Sequence, residues 1–158
     1  FDLGSGQAGL STRHLGRRAV NSCLLAAGSL SALAVLLHLG CIVFGASWYR
    51  TFGAGERMAQ LVESGSSYPA RVTLVIALLL LLWAAYAFSA AGLIPRLPLL
   101  RVALCAITAV YLARGVFGFL LVPYFPGNSL TFWVVSCAIC FSIGVLHAIG
   151  LRQVWALL

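Results

Sequence analysis

The chain has 158 residues, 62% of them hydrophobic and only 8% charged, with a mean hydropathy of +1.04 and a net charge of +7. A soluble domain averages roughly 25% charged residues and needs them to cover its surface. The composition therefore excludes a soluble globular domain, a nucleic-acid binder and a disordered chain, and leaves an integral membrane protein.

The positive charge comes from ten Arg, with no Lys, against Asp2, Glu56 and Glu63. It flanks apolar runs, as topology alone requires, so no nucleic-acid partner is expected. An all-Arg basic set with abundant Ala, Gly and Leu points to a bacterial source. The five Cys lie within or beside apolar runs and none lies in the long polar loop, which excludes a disulfide-stapled secreted scaffold.

Residues 1–18 read as a flexible cytoplasmic N-terminus, Gly/Ser-rich at first and ending in Arg13, Arg17 and Arg18. A single domain, 19–158, follows. Its four apolar runs cover 19–46, 72–93, 99–121 and 130–150. A hydrocarbon core near 30 Å needs about 20 helical residues, and lipid demands that each segment satisfy its own backbone. Each run is thus predicted as a transmembrane helix, giving an all-α four-helix membrane bundle. The first run is too long for a signal-peptide core and no A-x-A site follows it, so it is expected to be retained.

Arg13, Arg17, Arg18, Arg96, Arg101 and Arg152 fall on one side of these spans. Arg50, Arg57 and Arg71 fall on the other, diluted by Glu56 and Glu63. The six-Arg side is expected to be cytoplasmic, with both termini there and the protein in a bacterial inner membrane.

The links between spans differ. Residues 47–71 form the long one, in which 54–64 reads as a short amphipathic helix expected to lie flat on the periplasmic surface or to fold over the bundle mouth. Met58, Leu61 and Val62 share one face and Glu56, Gln60 and Glu63 the other, while Trp48, Tyr49 and Phe52 look like interfacial anchors. Ile94-Pro95-Arg96-Leu97-Pro98 is a tight two-proline turn, so the second and third helices are expected to be antiparallel neighbours. The last link, 123–129, is uncharged and turn-rich.

Small and polar residues mark helix contacts in membranes. The stripes are Asn21, Gly28, Ser31, His38 and Gly45 on the first helix, and Ala84, Ala87 and Ala91 on the second. The third offers Thr108, Tyr111, Gly115 and Gly118, and the fourth Trp133, Cys137, Cys140, Gly144 and His147. Arg114 is a charge well inside a span, which marks a site by default. His38 lies at a similar depth, each about 10 Å or slightly more from the outer helix end. With Glu56 above and Tyr111 one turn below, Arg114 and His38 form the candidate ligand-binding set, a pocket for a polar or anionic headgroup. The alternatives are that Arg114 snorkels to the interface or pairs with Glu56. His147 is expected near the cytoplasmic end, meeting headgroups or capping its helix.

Cys137-Ala-Ile-Cys140 places two sulfurs on one helical face, which suits a redox disulfide or half a metal site. No second C-x-x-C or His pair supports a metal. A four-helix membrane bundle with C-x-x-C on its last helix, and the run Val110-Tyr111-Leu112-Ala113 before it, resembles the vitamin K epoxide reductase family and, more loosely, the DsbB-type quinone-coupled disulfide formers. That resemblance would imply a thiol–quinone oxidoreductase with Cys137 and Cys140 as catalytic residues and a quinone as cofactor. The sequence departs from it in having no Cys in 47–71 and in setting Cys137 about 10 Å into its helix. Two small apolar residues packed in a helix remain the other reading.

A second resemblance rests on Tyr49-Arg50-Thr51-Phe52-Gly53-Ala54-Gly55-Glu56, Tyr68-Pro69, Ala91-Gly92-Leu93-Ile94 and Leu97-Pro98-Leu99-Leu100-Arg101. Over residues 36–122 the chain resembles a group of uncharacterised small four-span bacterial inner-membrane proteins, which implies the architecture and no activity. The functional expectation is a non-enzymatic accessory subunit or a lipid- or hydrophobe-binding module, with no cofactor. Its partners would be membrane lipids and a larger membrane complex or a homo-oligomer. The thiol–quinone oxidoreductase is the alternative.

Overall fold

The computed structural model describes residues 20–52, 55–124 and 128–158. The expected N-terminal segment 1–18 lies outside them. The described residues are mostly helical, without a strand: α1 (Ser22–Phe44), α2 (Ala46–Thr51), α3 (Glu56–Glu63), α4 (Tyr68–Ala91), α5 (Leu100–Phe117) and α6 (Leu130–Val154), with 3₁₀ turns at Gly118–Tyr124 and Trp155–Leu157. Four of these helices, α1, α4, α5 with its 3₁₀ extension, and α6, are long and apolar enough to cross a membrane. The chain is on that basis a multi-pass membrane protein.

Local chemistry sets the boundaries. Asn21 caps α1 by accepting from the Leu24 amide, and Ser129 caps α6 by accepting from the Phe132 amide. Pro69 sits in the first turn of α4, where its missing N–H is no loss. It starts that helix at Tyr68, ahead of the apolar run at 72. Gly92 ends α4 in the left-handed region at φ 85°. In the third span the α-helix gives way at Gly118 to a 3₁₀ turn that contains Pro123.

The four spans run up, down, up and down. Buried faces follow the small-residue stripes: Gly28, Ser31, Ala84, Ala87, Ala91, Thr108, Tyr111, Gly118, Trp133, Cys137, Gly144 and His147 all face protein. Glycines decide which helices pair. A methyl on Gly28 would meet the Phe88 ring at 2.7 Å, and one on Gly115 would meet the Phe141 backbone at 2.7 Å. Gly144 stands as close to Leu112. Association in lipid depends on this kind of close backbone approach.

The result is two tight pairs, α1 with α4 and α5 with α6, joined mainly by α1 against α6. The two-proline turn does make α4 and α5 antiparallel, but their mutual contact is small. The glycine-lined faces lie elsewhere, and packing rather than connectivity selects the partner.

At one end, called here the loop end, α2 and α3 fold over the bundle. The chain turns sharply at Gly45, with φ 70° and ψ −146°, a conformation that glycine adopts without strain. Cys41, Tyr49 and Ala59 form a small core with Met58 and Val62. The expected faces of α3 hold, with Met58, Leu61 and Val62 half-buried and Glu56, Gln60 and Glu63 exposed. Tyr49 is not an interfacial anchor. It is 3% exposed, and its hydroxyl bonds the Thr73 hydroxyl of α4 at 2.9 Å.

Candidate functional site

The loop end is organised by one guanidinium. Arg50, in the last turn of α2, donates from Nε and Nη2 to Glu56 at 2.8 Å each, and from Nη1 to Glu63 at 2.7 Å. Glu56 and Glu63 stand seven residues apart, two turns along one face of α3, so one planar fork reaches both. The three side chains are solvent-exposed. Hydrogen bonding to Glu56 and then Glu63 raises the Arg50 pKa, and bonding to Arg50 holds both carboxyls below the ordinary glutamate range. Screening makes such exposed pairs weak individually. Their effect here is to fix the orientation of α3 against α2.

Between this clamp and the start of α6 lies a cleft of about 460 Å³. Its polar wall is Arg50, Glu56, Asn128, Ser129 and Thr131. Its other wall is the face of α6 formed by Phe132, Val135, Ser136 and Ile139. Those positions recur every three to four residues, so they line a strip about 10 Å long on the helix surface. Arg50 and the two glutamates together carry one net negative charge. Asn128 Oδ1 is buried beside Gly55 and has no hydrogen-bond partner. A buried acceptor without a donor costs about 1–3 kcal/mol.

Arg114 sits behind the cleft. It occupies the last turn of α5, where the carbonyl end of the helix favours a cation. Its Nη1 donates to Cys137 Sγ at 3.2 Å and its Nη2 to Ser136 Oγ at 3.3 Å. The guanidinium lies 5.2 Å over the Trp133 ring, within cation–π range. The missing side chain of Gly118 provides the space, because a methyl there would overlap both the Arg114 guanidinium and Cys137 Sγ. Arg114 thus joins α5 to α6, and through Ser136 it reaches the wall of the cleft.

The sequence-predicted set is not one cluster. Glu56 pairs with Arg50 rather than Arg114, because α2 carries a nearer arginine on the same loop. His38 is half-buried and its Nδ1 meets the Ala34 carbonyl of its own helix at 2.7 Å, without reaching Arg114, Glu56 or Tyr111. Tyr111 faces the bundle centre, where its hydroxyl bonds the Ser31 hydroxyl at 2.8 Å and its ring takes the edge of Trp83 at 5.1 Å.

His147 corrects an expectation. It neither caps α6 nor meets headgroups. It is 0% exposed and stacks on Tyr111 at 5.6 Å, with neither ring nitrogen partnered. The helix continues to Val154, seven residues beyond it, which draws His147 into the interior.

Cys137 is buried and Cys140 half-buried, and both are free thiols. No group of three or more His, Cys, Asp or Glu that could hold a metal occurs among the described residues.

Sequence reasoning missed Arg50, Asn128 and Ser136. Arg50 was discoverable from the Glu56–Glu63 spacing on one helical face. Asn128 and Ser136 carry no signal of their own and gain their place only from the fold. No protein-family model, no curated protein and no solved structure matches the chain.

Proposed function

We propose that this chain is a non-enzymatic membrane module that binds an amphiphile in the loop-end cleft. The headgroup would carry hydrogen-bond donors, as an amine or a polyol does, and its apolar tail would lie along the Phe132, Val135 and Ile139 face of α6. The observation that carries this reading is a cleft of about 460 Å³ with Glu56, Asn128, Ser129 and Thr131 on one wall and an apolar helix face on the other. Small-ligand sites commonly combine apolar lining with a few orienting polar groups. The reading also modifies the role expected for Arg114, which here orients Ser136 rather than binding the headgroup directly. The Arg distribution favours the periplasmic side of a bacterial inner membrane for this end.

The test is native mass spectrometry of protein extracted gently from its own membranes. Wild-type protein should retain a discrete lipid-sized mass, while Asn128→Leu and Val135→Trp should release it and Cys105→Ala should not. Retention of the same mass by both cleft variants would refute the reading. A stoichiometric protein companion instead of a lipid would make the chain an accessory subunit.

The Arg114–Cys137 hydrogen bond favours one second reading. Arg114 Nη1 donates to Cys137 Sγ at 3.2 Å, and Cys140 lies one turn away. In that reading the two thiols would form a disulfide, passing two electrons and two protons to a quinone, which becomes a quinol. Oxidation of purified protein by a short-chain quinone, followed by thiol counting, tests it. Two thiols should disappear in wild type and none in the Cys137→Ala variant.

A further inference from the structure

The opposite end of the bundle has a different electrostatic character. Here α1 begins, α4 turns into α5, and α6 ends; Asn21 is joined to the Ala91 carbonyl and to the Gln153 side chain. Among the described residues this end carries Arg96, Arg101 and Arg152, while both glutamates lie in α3 at the loop end. Among the described residues no acidic side chain at this end answers these three charges.

Two of them are held in place around a cavity. Arg96 sits between Pro95 and Leu97. The Ser89 hydroxyl donates to the Pro95 carbonyl at 2.8 Å and accepts from the Leu97 amide at 3.0 Å. Tyr86 donates to the Pro98 carbonyl at 3.2 Å. Two fixed proline φ angles and three hydrogen bonds therefore hold the backbone that presents Arg96. Arg101 is fixed from the other side, stacked 4.7 Å over Trp155 and donating from Nη2 to the Trp155 carbonyl at 3.1 Å. Arg96 uses Nη1 on the Leu157 carbonyl. Each guanidinium carries five N–H donors, so most remain available. The two arginines line one open cavity of about 670 Å³, whose apolar wall is Leu99, Leu100, Val102 and the last residue, Leu158. The positive end of α5 lies in the same cavity and adds to the field without defining it.

We propose that Arg96 and Arg101 bind the phosphate of an anionic phospholipid headgroup in this cavity, with an acyl chain against the exposed leucines of the α4–α5 turn. Basic pockets between transmembrane helices take phosphate headgroups, and a planar fork suits the oxyanion better than an ammonium does. Leu99 is 77% exposed and Leu93 56% exposed at this level, which supplies the apolar surface that an acyl chain would cover. The inference is independent of the loop-end cleft, since the two sites share no residue.

The experiment reads thermal stability and lipid retention of delipidated protein with phosphatidylglycerol, phosphatidylcholine or inorganic phosphate added. Phosphatidylglycerol should stabilise the wild type more than phosphatidylcholine does. Removing one guanidinium, by Arg96→Gln or Arg101→Gln, should weaken that preference about fivefold, from roughly 1 kcal/mol per basic group near a membrane surface. Arg152→Gln, an exposed charge on α6 outside the cavity, should weaken it clearly less. Arg96→Lys with Arg101→Lys keeps the charge and guards against misfolding; it should retain only part of the preference. Equal stabilisation by inorganic phosphate would identify the free ion rather than lipid as the source of the phosphate. Equal stabilisation by phosphatidylcholine, or an equal loss in Arg152→Gln, would overturn the proposal.

Discussion

Replacing Gly115 by Ala tests the packing argument most directly. A methyl at that position would stand 2.7 Å from the N, Cα and Cβ atoms of Phe141. Ordinary contact begins at 3.4 Å, so α5 and α6 would have to separate by about 0.7 Å. Backbone cannot rotate away as a side chain can. Overpacking of this kind costs about 1–3 kcal/mol, while the better helix propensity of Ala returns about 0.5–1 kcal/mol. The net expectation is a loss of up to roughly 2.5 kcal/mol. Separation would also lengthen the Arg114 bonds to Ser136 and Cys137, which cross the same interface. Equilibrium unfolding in mixed micelles, followed by far-UV circular dichroism and tryptophan emission, measures the loss. Gly28→Ala is the comparison, since its clash is with the movable ring of Phe88, and it should lose less. If Gly115→Ala instead gained the full helix propensity of about 0.5–1 kcal/mol, α5 and α6 would not be in backbone contact and the pairing scheme would fail.

Acidification should release α3. Glu56 and Glu63 have depressed pKa values in the folded state, so their contribution is fully present above the ordinary glutamate pKa of about 4.3 and is lost as pH falls through the folded values. Limited proteolysis near Gly55 should accelerate below about pH 4 in wild type; in Arg50→Gln the helix should already be released at neutral pH. Ser31→Ala and Tyr111→Phe should each destabilise the bundle, with a coupling near 0.6 kcal/mol and at most about 1.7 kcal/mol; a double-mutant cycle giving zero coupling would remove this hydrogen bond from the account. His147→Leu should change stability by less than about 1 kcal/mol, because relief of two unpartnered nitrogens offsets the lost stacking. A loss above 2 kcal/mol would show that the imidazole has a partner.

The four spans were legible because lipid leaves helices as the only solution for long apolar runs. The buried faces were legible because small residues at helical spacing can serve little else than close packing. Side-chain partners were not. Arg114 was visible as costly, but cost alone does not say what repays it. Its solution depends on Gly118 leaving space, and on Ser136 and Cys137 arriving from another helix. Glu56 appeared available to Arg114 only because the loop was read without α2, which brings Arg50 within reach. His147 was misplaced because the apolar run was ended at 150, whereas the helix runs to Val154 and carries the residue inward. In each case the missing information was the phase and length of a neighbouring helix, which local pattern does not encode.

The placement of the cleft follows from how the bundle is divided. Within the α5–α6 pair glycines bring backbones into contact, and within the α1–α4 pair Gly28 seats the Phe88 ring, so distortion inside each pair is resisted sterically. Between the pairs the ties are fewer: the Ser31–Tyr111 bond, the Trp83–Tyr111 ring contact, the Asn21–Gln153 bond and the seating of Leu24 against Gly150. Two of those four lie at the basic end. At the loop end, α2 and α3 are fastened to the first pair through Tyr49 and Thr73, whereas the facing wall of the cleft belongs to α6 of the second pair. The cleft therefore straddles the seam that the protein secures least. An amphiphile held by Asn128 and Glu56 at one edge and by the α6 face at the other would supply the tie that the side chains there do not. Binding and bundle stability would then be linked, since a ligand that favours the closed arrangement stabilises it in proportion to its occupancy.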